Sequence, residues 1–470
     1  MSQQGILPYV VEIIRRSEGI TAWAGLPLVL ETMRALGLEQ VIREHVHVRE
    51  RERGYSETKK IEALIMLMAA GGDCIEDIKI LKADPGLCRL VGAFPGEDAL
   101  RTFLYAFHDE ELIKEAQARR AKDEVAYIPE ENEALQGLGR VNVEFVHRVA
   151  LQGKCRRATL DHDATIQESH KREAQFHYKG GRGYQPSVIY WAEQDLVVAD
   201  EYRDGNVPAG MNNLPLIRRG FASLPVTVTE LYFRADSACY EESVLKWLAN
   251  PERDGGPKGQ IGFTISADMT PELRKVCEVV PEKSWELVED RPHETVQCAE
   301  VDFTPGNWSK DAKPLRYLAL RIQAKQGELF ANGSTTRYLA VVTNREGKPV
   351  ELLRWHWQKA GTIELVHDVS KNELAAKVPP CGRFGANAAW FRLCLLTYNV
   401  LSAMKSLALP SDLSNARPKR LRFSLFTIAG RIVSSGGKLI LRIAAEIEAR
   451  VKLIAARVRL SALQLQFSTS

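Results

Sequence analysis

The spacing of apolar residues divides the chain into helical and strand-rich stretches. Residues 1–125 carry apolar side chains at helical spacing, and the clearest helix runs from Glu57 to Ala70 between a capping Ser56 and a terminating Gly71. A second helix follows after a short glycine turn. This arrangement is typical of either a plain helical bundle or a DNA-binding helix-turn-helix. Nearby basic residues could form a DNA-contacting face or an ordinary solvated surface; they are Arg49, Arg51, Arg53, Lys59 and Lys60.

A strand with two acids is predicted from Ala158 to Thr165, within a segment of helices and strands over residues 126–250. Period-two alternation puts Thr159, Asp161 and Asp163 on one face of that strand. Neighbouring carboxylates repel, and a divalent cation such as Mg²⁺ or Mn²⁺ is their usual partner. The stretch therefore predicts a metal site, with an exposed helix-capping turn as the alternative.

A third acid, Asp236, follows the predicted strand from Val226 to Ala235 and precedes a helix. A carboxylate at the junction of a strand and a helix lies at the sheet edge where α/β proteins place their chemistry. The alternative is that Asp236 only caps the helix. Because it would be the second strand-end acid near Asp163, the functional interpretation is favoured.

The composition of the sequence changes between residues 251 and 336, where Pro and Gly recur. Short segments of alternating apolar and polar residues predict a β-rich insertion here, which contains Trp285 and Trp308. An apolar strand near residue 340 then returns the chain to the core, over residues 337–410. In this part Glu364 and Lys371 are seven positions apart and share one helical face. They fit a metal ligand beside a phosphate anchor, or a solvated pair.

The last segment, residues 411–470, is predicted to be a basic helical tail. It carries eleven Lys and Arg against three acids, a net +8 within a chain whose net charge is only +3. DNA is the partner that this concentration of positive charge favours, and a membrane surface is the alternative partner. Eight scattered cysteines without a CxxC pair, and no signal peptide or bilayer-spanning run, predict a cytoplasmic protein.

Several motifs in order resemble those of bacterial insertion-sequence transposases of the group-one DDE type. They are Thr159 to Thr165, Gly183 to Pro186, Arg203 to Asn206, Arg234 to Ser237, Ile363-Glu364 with Lys371, and Cys381 to Trp390. The resemblance spans nearly the whole chain. It implies an α/β fold with a ribonuclease-H-like mixed sheet and a β-rich insertion, flanked by helical N-terminal and C-terminal regions.

The same resemblance implies the site. Asp163, Asp236 and Glu364 would be the catalytic acids that bind two Mg²⁺ or Mn²⁺ ions, with Asp161 as the runner-up for the first acid and a further ligand. Lys371 and Lys359 would contact DNA. Trp308, or else Trp285, would stack on a flipped base or simply pack in the core. The family's Tyr and Arg positions hold Trp357 and Ala360 here, which is a departure from the family pattern.

The function implied is a DNA transposase, associated with the bacterial nucleoid, that binds the terminal inverted repeats of its insertion sequence. It would cut the element ends and join them to target DNA by two-metal phosphoryl transfer. Its partners would be double-stranded DNA and a second subunit, with no membrane. Two alternatives stay open: a DNA-binding protein that has lost activity, and a structure-directed nuclease that does no joining.

Overall fold

The computed structural model describes residues 19–48, 54–119, 126–153, 155–306, 308, 314–325, 329–331 and 333–468. Arg49, Arg51 and Arg53, named above as a possible DNA-contacting face, lie outside these residues. The helices are α1 Pro27–Ala35, α2 Leu38–His45, α3 Glu57–Ala70, α4 Ile78–Lys82, α5 Pro85–Val91, α6 Glu97–Tyr105, α7 Glu110–Arg119, α8 Glu133–Gln152, α9 Asn213–Ala222, α10 Glu242–Ala249, α11 Pro271–Glu278, α12 Pro349–Trp357, α13 Ile363–Glu373, α14 Phe384–Leu407, α15 Pro418–Leu421 and α16 Ile447–Ser468. The strands are β1 Ile20–Thr21, β2 Arg157–Ala164, β3 Gln167–Glu168, β4 Gln175–Phe176, β5 Arg182–Tyr184, β6 Ser187–Trp191, β7 Leu196–Glu201, β8 Glu230–Ala235, β9 Ile261–Ala267, β10 Glu286–Asp290, β11 Glu294–Val301, β12 Arg316–Ala324, β13 Thr336–Thr343, β14 Ala429–Ser435 and β15 Lys438–Ala444.

The fold is mixed α/β around one large sheet. In the part of the chain that the structure describes, nine strands form it in the order β10-β11-β12-β13-β9-β8-β2-β6-β7. Strand β8 pairs in parallel with β2 on one side and with β9 on the other, and all other neighbouring strands of this sheet are antiparallel. The prediction of an α/β protein with a large mixed sheet is confirmed.

The register between β2 and β8 positions the acids. Asp161 lies opposite Arg234 and His162 opposite Ala235. Because the two strands are parallel, the next residues along each chain, Asp163 and Asp236, come out at the same edge of the sheet. Two acids that are 73 positions apart in sequence are thus brought together by strand pairing.

The strands of the 251–336 segment extend the central sheet. Strand β9 pairs in parallel with β8, and β10, β11 and β12 continue outward through β13, which closes back on β9. A separate cluster of buried apolar residues lies at this end of the sheet, against α12. The β-rich stretch is therefore continuous with the core strands through their backbone hydrogen bonds.

Helix α14 is the central buried element. Its residues from Gly385 to Met404 are all buried, and it packs on α3, α8 and β7. Its polar side chains are paired inside the core. Asn399 bonds both backbone groups of Val197 (2.7 and 2.8 Å), and the Arg392 guanidinium bonds the carboxylates of Asp200 and Glu131. Such pairing offsets the cost of burying polar groups.

The prediction of a helical tail over residues 411–470 is wrong for the middle of this segment. Strands β14 and β15 form a hairpin, which pairs with β1, before α16 packs on α1. The physical reason is the dipeptide Gly436-Gly437, whose φ angles of 56° and 73° suit a two-residue hairpin turn. The alternating residues on either side, such as the buried Ile432, then follow the period of a strand.

We expect Arg392→Met to lower the free energy of unfolding by about 3–5 kcal/mol, because it leaves the buried carboxylate of Asp200 without its cation. Arg157→Met is the matched control. Its ion pair with Glu230 is half exposed, so the loss should be about 1 kcal/mol or less. Urea denaturation followed by circular dichroism measures both. Equal losses in the two variants would contradict the prediction.

Candidate active site

Three acids lie near the carboxyl edge of β2 and β8. Asp163 lies near the end of β2, Asp236 follows β8 directly, and Glu364 lies in the first turn of α13, which packs on β2. Asp236 also accepts a hydrogen bond from the Ala238 backbone N–H (3.1 Å). It therefore caps a short 3₁₀ turn, as the capping interpretation predicts, and its functional role beside Asp163 stays a prediction.

Asp163 is a largely buried acid with a raised pKa. Its side chain is only 17% exposed, and burial raises the pKa of its carboxyl to about 6. Lys359 acts in the opposite direction, while the negative charges of Asp236 and Glu364 add to the rise. Asp236 and Glu364 thus both lie within electrostatic reach of Asp163. Their mutual repulsion is the property that a bound cation would relieve.

Asp161 is held in a different way, although it shares its strand face with Asp163. It is fully buried, and its two oxygens accept hydrogen bonds from Nε and Nη2 of Arg234 at 2.7 and 2.9 Å. The Thr362 hydroxyl donates to the same carboxylate. Both oxygens are therefore occupied by protein donors, in a bidentate pair of the kind that guanidinium groups make.

Lys359 and His367 lie beside the carboxylate of Asp163, whose Oδ1 also accepts a hydrogen bond from the Ala164 backbone N–H (3.0 Å). The Lys359 Nζ is 3.8 Å from Oδ1, and the His367 Nε2 is 3.7 Å from Oδ2. Burial, with smaller contributions from Lys371 and Lys359, lowers the pKa of His367 to about 3, so its imidazole is neutral at pH 7. Its Nε2 is buried and makes no hydrogen bond to any described residue.

His367 is not among the site residues that the sequence patterns predict. It lies three positions after Glu364, and residues at this spacing share one helical face. A Glu-x-x-His pair on a helix is a recurring metal-ligand pattern in helical carboxylate proteins, and it was the available signal.

The donor set fits a divalent metal ion in its chemistry. Asp163, Asp236 and Glu364 offer hard carboxylate oxygens, and the unpartnered His367 nitrogen points to the same acid. Among the described residues, however, no three His, Cys, Asp or Glu side chains are gathered closely enough to hold an ion. Binding one would therefore require these carboxylates to come closer together than they are in this structure.

Lys371 lines a cleft of about 360 Å³ beside the acids. Ala164 and Thr165, which directly follow Asp163, form one wall, and Lys179 and Lys377 also line the cleft. Burial and the nearby Lys179 lower the pKa of Lys371, while Asp163 and Glu168 oppose that shift. Lys371 thus lies close to the acid cluster, within a group of lysines.

The two tryptophans of the 251–336 segment are buried. Trp308 is 9% exposed, with the Lys246 Nζ 5.9 Å from its ring centre, and Trp285 is 8% exposed, with Arg321 stacked 4.6 Å away. Stacking of either ring on a base would need the ring to leave its pocket. Trp357 ends α12, and Arg291 lies 5.8 Å from its ring centre.

A family model described as "Transposase DDE domain group 1" matches residues 10–465 of the chain. The chain belongs to this family. One similar solved structure is a piggyBac transposase synaptic complex with hairpin DNA, which is 10% identical, with a TM-score of 0.42 over 86% of this chain and 81% of that one. No curated protein matches the chain. Among the described residues of this DDE-family protein, no helix is long and apolar enough to cross a bilayer.

In this DDE-family protein the two strand acids should respond oppositely to neutralisation. We expect Asp161→Asn to lower the free energy of unfolding by about 3–5 kcal/mol, because it leaves the Arg234 guanidinium buried without a carboxylate. Urea denaturation in metal-free buffer measures the change. A loss below about 1 kcal/mol would contradict this account of the pair.

We expect Asp163→Asn to stabilise the metal-free protein at pH 7 by about 1–3 kcal/mol. The raised pKa of Asp163 means that its stabilising protonated form is fully present below about pH 4 and is lost as the pH rises through about 6. The gain over the parent should therefore vanish near pH 4. Denaturation curves at pH 4, 5, 6 and 7 test the trend, and a variant less stable than the parent at pH 7 would overturn it.

Proposed function

We propose that this protein is the transposase of a bacterial insertion sequence. It binds the terminal inverted repeats, cuts at the element ends and joins them to target DNA. The observation that supports this most directly is the convergence of Asp163, Asp236 and Glu364 at one sheet edge, in a chain that matches a DDE transposase family over residues 10–465. The strand order β7-β6-β2-β8-β9, with β6 antiparallel, supports a ribonuclease-H-like catalytic core.

In this proposal the three acids hold two Mg²⁺ or Mn²⁺ ions. Such a metal pair, when bound, activates the attacking water or 3′-hydroxyl and stabilises the leaving oxygen of an in-line phosphoryl displacement. Asp163 is the first acid. Asp161 is a positioning residue, because its oxygens are committed to Arg234 and Thr362 and thereby fix the strand that carries Asp163.

Lys359 and Lys371 bind the DNA backbone on the two sides of the acids. Lysine acts on a phosphate as a compact point charge, and its contacts are sensitive to salt. In the metal-free site Lys359 compensates the charge of Asp163. When DNA and metal enter, the same ammonium group is free to pair with a phosphate oxygen.

The flanking regions supply specificity and further affinity. The N-terminal helices recognise the terminal repeats, and two subunits assemble on paired ends. Part of the basic tail is already used inside the protein: Arg417 pairs with Asp368 and Glu373, and Arg457 pairs with Glu31. The Arg417 contacts join the tail to α13 and the Arg457 contact joins it to the N-terminal helix α1, so the non-specific DNA affinity of the tail comes from its other basic residues.

The test is cleavage of a labelled duplex that carries the end of the element encoding this chain. We expect Mg²⁺-dependent cutting by the parent protein, abolition by EDTA, and a loss of at least about 10³-fold in rate for Glu364→Gln, because a metal ligand is removed. Asp368→Asn, on the same helix, is the matched control and should cut at the parent rate. Its ion pair with Arg417 is exposed.

Direct metal binding separates the catalytic proposal from its main alternative. Isothermal titration with Mn²⁺ should show binding to the parent and a marked loss in Glu364→Gln. That alternative is a DNA-binding protein that keeps the fold but has lost the activity. A parent protein that binds the element end but takes up no Mn²⁺ and never cuts would establish that alternative.

A further inference from the structure

The cleft that Lys371 lines is rich in lysine side chains, and the three acids beside it do not by themselves account for this number of cations. We call it the lysine cleft, and define it by Tyr178, Lys179, Lys371 and Lys377. One carboxylate, Glu168, faces these three cations, which leaves the cleft with an excess of positive charge. Its wall at Ala164 and Thr165 begins directly after Asp163. An anion held in the cleft would therefore lie next to the catalytic acids.

Tyr178 is exposed at the rim of the lysine cleft. Its side chain is 76% exposed, in contrast to Trp285 and Trp308, which are nearly buried. The Lys179 ammonium group lies 5.7 Å from its ring centre. An aromatic ring beside lysines that follow a groove is the arrangement by which proteins bind single-stranded nucleic acid, since every base has a face that can stack.

The turn that carries Tyr178 is held in place before any ligand arrives. It connects β4 and β5 of a small sheet, in which β5 pairs with both β3 and β4. The His177 backbone N–H donates to the Gly181 carbonyl (2.8 Å), and the Gly180 N–H donates to the His177 carbonyl (2.9 Å). Gly180 has a φ of 89°, which permits this tight turn. Fixing the backbone of the turn in advance reduces the entropy cost of binding.

The volume of the cleft limits the size of the ligand that it can enclose. At about 360 Å³ it is in the range of sites that enclose one small ligand, whereas a duplex could only lie across its opening. Bases in a duplex are stacked on each other and are not available to a protein ring until they are unpaired.

We propose that Tyr178 stacks on an unpaired nucleotide of the DNA strand whose neighbouring phosphate lies at the acids, while Lys179 and Lys377 hold the flanking phosphates. This inference rests on the proposed function and adds to it a base-contacting residue. It places the stacking platform on the β4–β5 turn, outside the 251–336 segment that carries Trp285 and Trp308.

The test uses the full chain and a duplex that carries the element end, in EDTA so that no strand is cut. We expect Tyr178→Ala to weaken binding about 5- to 100-fold, and Tyr178→Phe to bind like the parent because it keeps the ring. Phe176→Ala is the matched control. Phe176 lies on the same small sheet and is 58% exposed, but Arg182 already covers its ring at 4.2 Å.

Two further readouts separate stacking from charge and from folding. The slope of log K against log salt should be unchanged in Tyr178→Ala, whereas Lys377→Ala should reduce it by about 0.7–0.9, the contribution of one phosphate contact. A single 2-aminopurine moved along the end should show one position whose fluorescence on binding differs between the parent and Tyr178→Ala. The thermal midpoints should agree, since Tyr178 is exposed.

The outcomes are distinguishable. If the parent binds and cuts the element end while Tyr178→Ala matches it in affinity and in 2-aminopurine signal, the stacking proposal is overturned and the transposase proposal stands. If the parent neither binds nor cuts that end, the transposase proposal itself fails. An equal loss in Tyr178→Ala and Phe176→Ala would also overturn the specific role of Tyr178.

Discussion

The ion pair between Asp161 and Arg234 is the contact on which the geometry of the candidate site depends. It joins β2 to β8 through two hydrogen bonds across the parallel register. Arg234 also donates to the Trp355 carbonyl (2.7 Å), and Asp161 accepts from Thr362, so the pair reaches α12 and the residue before α13. The elements that carry Asp163, Asp236 and Glu364 are thus all connected through one buried pair. Such a pair contributes little net stability but makes other arrangements costly, because separating it leaves an isolated buried charge.

The sequence pattern was sufficient for the elements around this pair but not for the roles of its members. Alternation along β2 correctly put Asp161 and Asp163 on one face, and the strand-to-helix junction correctly put Asp236 at the sheet edge. Which acid would be paired could not be predicted, because the partner Arg234 comes from another strand and its register is a tertiary property. Alternation along one strand predicts which face of the sheet a side chain lies on. The distance between that side chain and a partner far along the chain depends on how all the strands of the sheet pair.

The same limit applies to the aromatic residues and the tail. A tryptophan in a β-rich stretch can be either a core residue or a binding residue. Only the completed sheet shows that Trp285 and Trp308 are buried while Tyr178 is exposed. In the tail, the helical prediction failed because Gly436-Gly437 permits a hairpin that then finds β1 as a partner. The helix Glu57–Ala70 was predictable to the residue, since its cap and its terminating glycine are local signals.

The charge balance around Asp163 connects the structure to the proposed chemistry. Three acids and two cations, Lys359 and Lys371, share a partly buried region, and His367 adds a neutral nitrogen rather than a third positive charge. A site built only for stability would pair Asp163 as closely as Asp161 is paired. Instead its nearest cation is 3.8 Å away, against 2.7 Å for the Arg234 contact of Asp161. A site for an exchangeable cation requires one loosely paired acid beside a tightly paired one. The loosely paired acid, Asp163, must release its protein partner when the ion arrives, while the tightly paired Asp161 keeps the surrounding strands fixed.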